Sequence, residues 1–114
     1  MIERIEPGPR MSKAVVHNGT MYTAGQVADD PSADAAGQTQ QILAKIDRIL
    51  AAAGSDKSRV LYASVWLADI ASFDEMNAVW DAWIEPGNPP ARATVEARLA
   101  GPQYKVEIAV IAAR

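Results

Sequence analysis

Val60-Leu-Tyr-Ala-Ser-Val-Trp-Leu67 is a nearly continuous apolar run, β-branched and aromatic, bounded by polar residues on both sides. Such a run reads as a strand covered on both faces. Helical spacing flanks it. From Gln38 to Ala53 the residues Ile42, Leu43, Ile46, Ile49, Leu50 and Ala53 recur on one stripe, and Gly54 stands where a helix C-cap glycine belongs. After the strand, Ser72-Phe-Asp-Glu75 fits a capping box, in which hydroxyl and carboxylate each take one early N–H. That helix is predicted to run to about Ile84, because Pro86-Gly87 and Pro89-Pro90 cannot continue it. Strands separated by helices imply crossover connections and a mixed sheet.

Working outward, Lys13-Ala-Val-Val-His17 alternates in part and ends at Asn18-Gly19, a hairpin signal, with Thr20–Ala24 as the returning strand. Residues 26–37 hold Pro31, Gly37 and three Asp, and read as an irregular connection. Two last strands, about 91–99 and 104–112, flank a turn with Gly101-Pro102. The order is hairpin, helix, buried strand, helix, hairpin: a single α/β (α+β) domain over 1–114, with a mixed sheet of five or six strands. Each helix has one apolar stripe, so both are expected on one sheet face. The face left uncovered must be polar or buried against another subunit. The closing strand is apolar on both sides beyond Glu107, which favours burial and therefore an oligomer.

Composition excludes several kinds of chemistry. With 114 residues, 49 % hydrophobic and 22 % charged, the chain has the balance of one ordinary globular domain. It has no cysteine, so no disulfide framework, thiolate nucleophile or zinc–thiolate site is available. With one histidine, His17, a multi-histidine metal site is impossible. Fourteen acids against eleven bases give a net charge of −3, which argues against a phosphate-backbone partner. No apolar run approaches the ~20 residues of a membrane helix. The N-terminus, MIERIEPGPR, is charged and has no apolar centre, so a cytoplasmic location is the expectation.

Four positions invite a chemical reading. In Pro90-Ala-Arg-Ala-Thr-Val-Glu96, period 2 puts Arg92, Thr94, Glu96 and Arg98 on one face and Ala91, Ala93, Val95, Ala97 and Leu99 on the other. That polar face is either a solvated exterior with cross-strand ion pairs or a presentation of Arg92, whose planar fork suits a carboxylate. Glu107 is the only acid in the closing strand; it is either paired with Lys105 or an arginine, or it orients a water. In a simple hairpin about Gly101 it would face Glu96, with Arg92 roughly 13 Å further along, so a shared site needs a bulge or a neighbouring subunit. Asn77 interrupts the stripe Phe73, Trp80, Ile84, as a satisfied structural amide or as a ligand contact. Gly25 ends a strand where backbone can approach a ligand, or is a plain strand-to-loop glycine. His17 reads as an exposed hairpin residue, and Trp66, Trp80 and Trp83 as core or interface.

Together the segments GP at 8–9, YTAGQ at 22–26, GQTQQILAKIDRILAAAGS at 37–55, VWLADIASFDEMNAVWDAW at 65–83 and PPARATVEARLAGPQYKVEIAVIA from Pro89 resemble the reactive intermediate deaminase (RidA-like, YjgF) family, older label L-PSP endoribonuclease. The resemblance covers nearly the whole chain. It implies a chorismate-mutase-like fold with a six-stranded sheet, and a homotrimer with clefts between subunits. It also implies cofactor-free hydrolysis of 2-imino and enamine acids to 2-keto acids and ammonia, with no metal. By resemblance Arg92 holds the substrate carboxylate, Glu107 lies near the attacking water, Asn77 lines the pocket, and the Gly25 backbone lines the site. Three positions depart from the family pattern: Met11 stands for its pocket tyrosine, Ala24 for a frequent serine and Thr94 for a position often holding cysteine. A non-catalytic trimer that binds a small carboxylate through the same Arg92 is the alternative, and a ribonuclease fits the charge balance badly.

Overall fold

A computed structural model describes all 114 residues. The elements run β1 (Glu3–Pro7), β2 (Ser12–His17), β3 (Thr20–Thr23), α1 (Ala35–Ala52), β4 (Val60–Leu67), α2 (Phe73–Trp83), β5 (Ala91–Glu96) and β6 (Val106–Ala113). Short 3-10 turns at Lys57–Arg59 and Ile70–Ser72 lead into β4 and α2. All six strands form one mixed sheet in the order β1-β2-β3-β6-β4-β5, antiparallel throughout except for the parallel β4–β5 pair. Asn18 and Gly19 both take positive φ, 52° and 75°, as the two-residue turn between β2 and β3 requires.

Both helices cover one face, as their single apolar stripes demand. Ile42, Leu43, Ile46, Ile49 and Leu50 of α1 and Met76, Trp80 and Trp83 of α2 join one buried cluster. From the sheet that cluster takes Ala63, Val65 and Leu67 of β4 and Val106, Ile108, Val110 and Ala112 of β6. Neither helix is long and apolar enough to cross a membrane. Gln38 is the polar member of the interior. Fully buried, it donates to the carbonyls of Pro31, Ala33 and Gln103 and accepts from the Lys105 N–H, so it ties the two longest connections to α1.

The other face is open. One row of partners crosses the whole sheet, Arg4–Val15–Tyr22–Ile111–Tyr62–Ala91, and a second runs Glu107–Trp66–Val95. Tyr22, Tyr62 and Val95 are exposed there. The expectation that β4 is covered on both faces therefore holds for one face only within a subunit.

One strand is added and three further expectations are corrected. The charged N-terminal segment Glu3–Pro7 forms an edge strand, a place where charges are common. The first helix begins at Ala35, three residues before Gln38, because the Asp34 carboxylate caps it by accepting from the Gly37 N–H. The capping box at Ser72 does not form: Ser72 makes no side-chain cap bond, and Glu75 accepts from the Ala36 N–H at the start of α1. The last two strands are not a hairpin. β5 ends at Glu96 and lies beside β4, which separates it from β6, so Glu107 faces Trp66 and not Glu96. The parallel crossover through α2 accounts for this order, since it returns the chain beside β4 before the 97–105 segment leads into β6.

Candidate functional site

The sheet sorts the candidate residues into two groups on opposite faces. Arg92 pairs with Ala63, which pairs with Val110, and Thr94 pairs with Val65; these partners are buried beneath the helices. Arg92 and Thr94 therefore point to the helical side, at the edge formed by β5 and α2. Glu107 lies on the open face. Period 2 correctly keeps Arg92, Thr94 and Glu96 together, but it is the apolar set Ala91, Ala93 and Val95 that faces outward.

Around Arg92 the neighbours are aromatic. Its guanidinium carbon sits 5.1 Å from the Trp80 ring centre and 5.9 Å from that of Phe73, and Nη1 is 4.0 Å from the Met76 sulfur. It has no carboxylate within ion-pair distance, so the solvated exterior with ion pairs is not formed. Partial burial lowers its pKa, and attraction from Asp81 offsets this in part; the group stays protonated at any physiological pH. Beside it the Thr94 hydroxyl is buried without a hydrogen-bond partner. Such an orphan costs on the order of 1–3 kcal/mol, and native structures hold few of them. Asn77 is half-buried and lies between Phe73 and Trp80 on the helix stripe, so its amide belongs to the same surface.

The second group gathers where β3 ends. Gly25 and Gln26 run beside β6, with Gln26 and Ile108 exchanging both backbone hydrogen bonds. A methyl group on Gly25 would collide with the Glu107 carboxylate, so a side chain at 25 would displace Glu107. Glu107 is half-buried and in no ion pair, neither with Lys105 nor with an arginine. Burial raises its pKa above the ordinary 4.5. Gly25 also borders a recess of about 330 Å³ lined by Met11 and Ala24, with Arg10, Lys13 and Lys45 at its margins. Met11 is exposed and Ala24 half-buried. No three His, Cys, Asp or Glu side chains gather as a metal site requires.

Sequence reasoning missed the aromatic cradle as a unit. Phe73 and Trp80 were legible on one stripe with Asn77, but only the parallel β4–β5 pairing brings that stripe to Arg92. It missed the Arg10–Lys13–Lys45 margin too, since Lys45 lies more than thirty residues beyond the other two cations in the chain. His17 is exposed, as expected. Trp80 and Trp83 belong to the core, and Trp66 lies on the open face.

Chains of known family share this sequence and this fold. The description of the endoribonuclease L-PSP family matches residues 1–114. A RutC family protein of Haemophilus ducreyi is 52 % identical over 113 residues, spanning 99 % of this chain and 97 % of its own length. The RutC family protein YoaB of Escherichia coli is 47 % identical over 112 residues, spanning 98 % and 97 %. A rat protein named 2-iminobutanoate/2-iminopropanoate deaminase is 35 % identical over 107 residues, spanning 89 % of this chain and 77 % of its own. The crystal structure of a YjgF family member from Neisseria meningitidis superposes with a TM-score of 0.98 at 47 % identity, over 100 % of this chain and 95 % of that one. The chain thus belongs to the endoribonuclease L-PSP family, the family of the RutC and YjgF proteins.

Proposed function

We propose that this protein hydrolyses reactive 2-imino and enamine acids to 2-keto acids and ammonia without a cofactor, in clefts between the subunits of a homotrimer. The observation that carries the reading is the state of Arg92: half-buried, cradled by two rings, and without a carboxylate of its own. An arginine kept in that state is suited to take the carboxylate of a small acid through two parallel hydrogen bonds. The rat relative's name supplies the chemistry.

An imine carbon is already electrophilic, so the protein has chiefly to orient substrate and water. Arg92 fixes the carboxylate, with Asn77 and the Thr94 hydroxyl beside it. Glu107, with its raised pKa, takes a proton as water adds to the imine carbon. The resulting carbinolamine carries the new C–O bond. Glu107 returns the proton to nitrogen and, again a carboxylate, takes the hydroxyl proton as the C=O bond forms and the C–N bond breaks, so ammonia leaves with the 2-keto acid. Because Arg92 and Glu107 face opposite sides of one sheet, one subunit supplies the carboxylate clamp and its neighbour the acid–base group. The open apolar face offers the surface on which the subunits meet.

A binding protein without turnover is the second reading. Met11 and Ala24 favour it, since neither side chain offers the hydroxyl that a tyrosine or serine there would supply to an attacking water. Ribonuclease activity is disfavoured by the net charge of −3.

The decisive test is the loss of freshly generated 2-iminobutanoate, with semicarbazide trapping the remainder. Wild type should accelerate the loss, and Arg92→Ala should reduce the acceleration by at least about a hundredfold, the worth of a charged clamp on a small substrate. A fully active Arg92→Ala protein would refute the assignment. Saturable binding of 2-oxobutanoate with no acceleration by wild type would establish the binding protein in its place.

A further inference from the structure

The surroundings of Arg92 contain more than a clamp needs. A half-buried guanidinium in a folded protein is ordinarily satisfied by a carboxylate or by carbonyl oxygens. Here the Trp80 and Phe73 rings stand 5.1 Å and 5.9 Å from its central carbon, and its one polar contact is the weak Met76 sulfur at 4.0 Å. Asp81 attracts the charge but does not reach ion-pair distance. A ring interacts with the cation through its π-electrons. It offsets part of the desolvation without using the N–H groups that a bidentate carboxylate requires. Phe73, Met76 and Trp80 fall at i, i+3 and i+7 of α2, so one face of this helix presents all three. Trp80 is 6 % exposed and therefore fixed by the core, whereas Phe73 is 38 % exposed and lies toward solvent.

We infer that Phe73 and Trp80 are positioning residues: they hold the Arg92 fork in place, with its donors unspent, for the carboxylate of the substrate. The inference rests on the reading of Arg92 as a carboxylate clamp and adds the device that keeps the clamp open. Met76 closes the cradle from the third side. Neither ring touches the reacting carbon in this scheme, so their removal weakens carboxylate binding and leaves the chemical step largely alone. A packing role alone would instead lower stability without changing the affinity for a carboxylate.

The test compares Phe73→Leu, Trp80→Leu and Trp80→Phe with wild type in two measurements. The first is calorimetric binding of 2-oxobutanoate, which needs no turnover; the second is kcat and KM for 2-iminobutanoate. The Arg92 Nε–H resonance, displaced by the ring currents, reports the cradle itself. The expected result is a three- to tenfold weaker binding of 2-oxobutanoate in each Leu variant, about what one cation–π contact contributes. KM should rise by a similar factor while kcat changes much less. Trp80→Phe keeps a ring and should recover most of the affinity. Phe73→Leu guards against misfolding at Trp80, since Phe73 is exposed. Unchanged binding in folded Phe73→Leu and Trp80→Leu proteins overturns the inference. If wild type binds 2-oxobutanoate but never turns over the imine, the deaminase reading falls while the cradle stands or falls on the binding arm. If wild type binds no carboxylate at all, both are overturned.

Discussion

Glu107 is an acid in an apolar strand with no cation to hold it, and its response to pH follows from that. Burial raises its folded-state pKa above the ordinary 4.5. The folded protein therefore disfavours the charged form, and wild type loses this part of its stability as pH rises from the ordinary carboxyl value through the raised one. Glu107→Gln has no charge to lose. Its stability advantage over wild type should be near zero at pH 4 and grow toward pH 7, read by denaturant unfolding at fixed protein concentration. An advantage that shrinks over the same interval would mean that a cation stabilises the carboxylate. Catalysis should move the other way, with Glu107→Gln losing activity at every pH. The sequence already isolates Glu107 as the one acid in its strand. It does not show that Lys105 leaves it unpaired: period 2 puts these two on the same side, yet β6 begins only at Val106. Likewise, alternation groups Arg92 with Thr94 and Glu96, but alternation alone cannot say which side carries the helices.

Elements are legible in this sequence where their signal is local, and obscure where a distant partner sets them. The stripe from Ile42 to Ala53, the Asn18-Gly19 turn and the apolar run Val60–Leu67 each contain their own evidence. By contrast, Glu75 sits three residues after Ser72, as a capping box requires, but its carboxylate is taken by Ala36 of the other helix. The strands 91–96 and 106–113 look like a hairpin because the connection is short, although β4 lies between them. What holds that connection is Gln38, whose role no pattern announces, since a glutamine on an otherwise apolar helix face reads as a surface residue. Gln38→Leu keeps the volume but leaves three part-buried carbonyls and the Lys105 N–H without their partner. Unfolding should be easier by about 1–3 kcal/mol, the scale of one orphaned group once water reaches the more exposed partners. Exchange of the Lys105 amide should speed up before global unfolding. A variant as stable as wild type would mean that water replaces the side chain in full.

At the scale of the molecule, an apolar sheet face left open by two helices points to a partner, and that much is readable from element count alone. What the sequence leaves unstated is the consequence for the site. Arg92 and Glu107 are separated by the thickness of the sheet, so no side-chain movement within a subunit brings them to one small substrate. If the proposed reaction needs both, it needs two copies of the chain, and this can be tested without any knowledge of their arrangement. Arg92→Ala and Glu107→Gln should each be inactive when purified alone. Unfolded together in equal amounts and refolded, they should form mixed oligomers. About a quarter of the interfaces then join an intact Arg92 to an intact Glu107 from its neighbour. Imine hydrolysis should return to about that fraction of wild type, while mixing the folded proteins without exchange should restore nothing. Val95→Lys, which puts a charge on the open face, should lower both the mass seen by light scattering and the activity. Full-strength activity from a monomeric Val95→Lys protein would instead place both functional groups within reach of one subunit's own cleft. In that event the opposite-face geometry would no longer bear on catalysis.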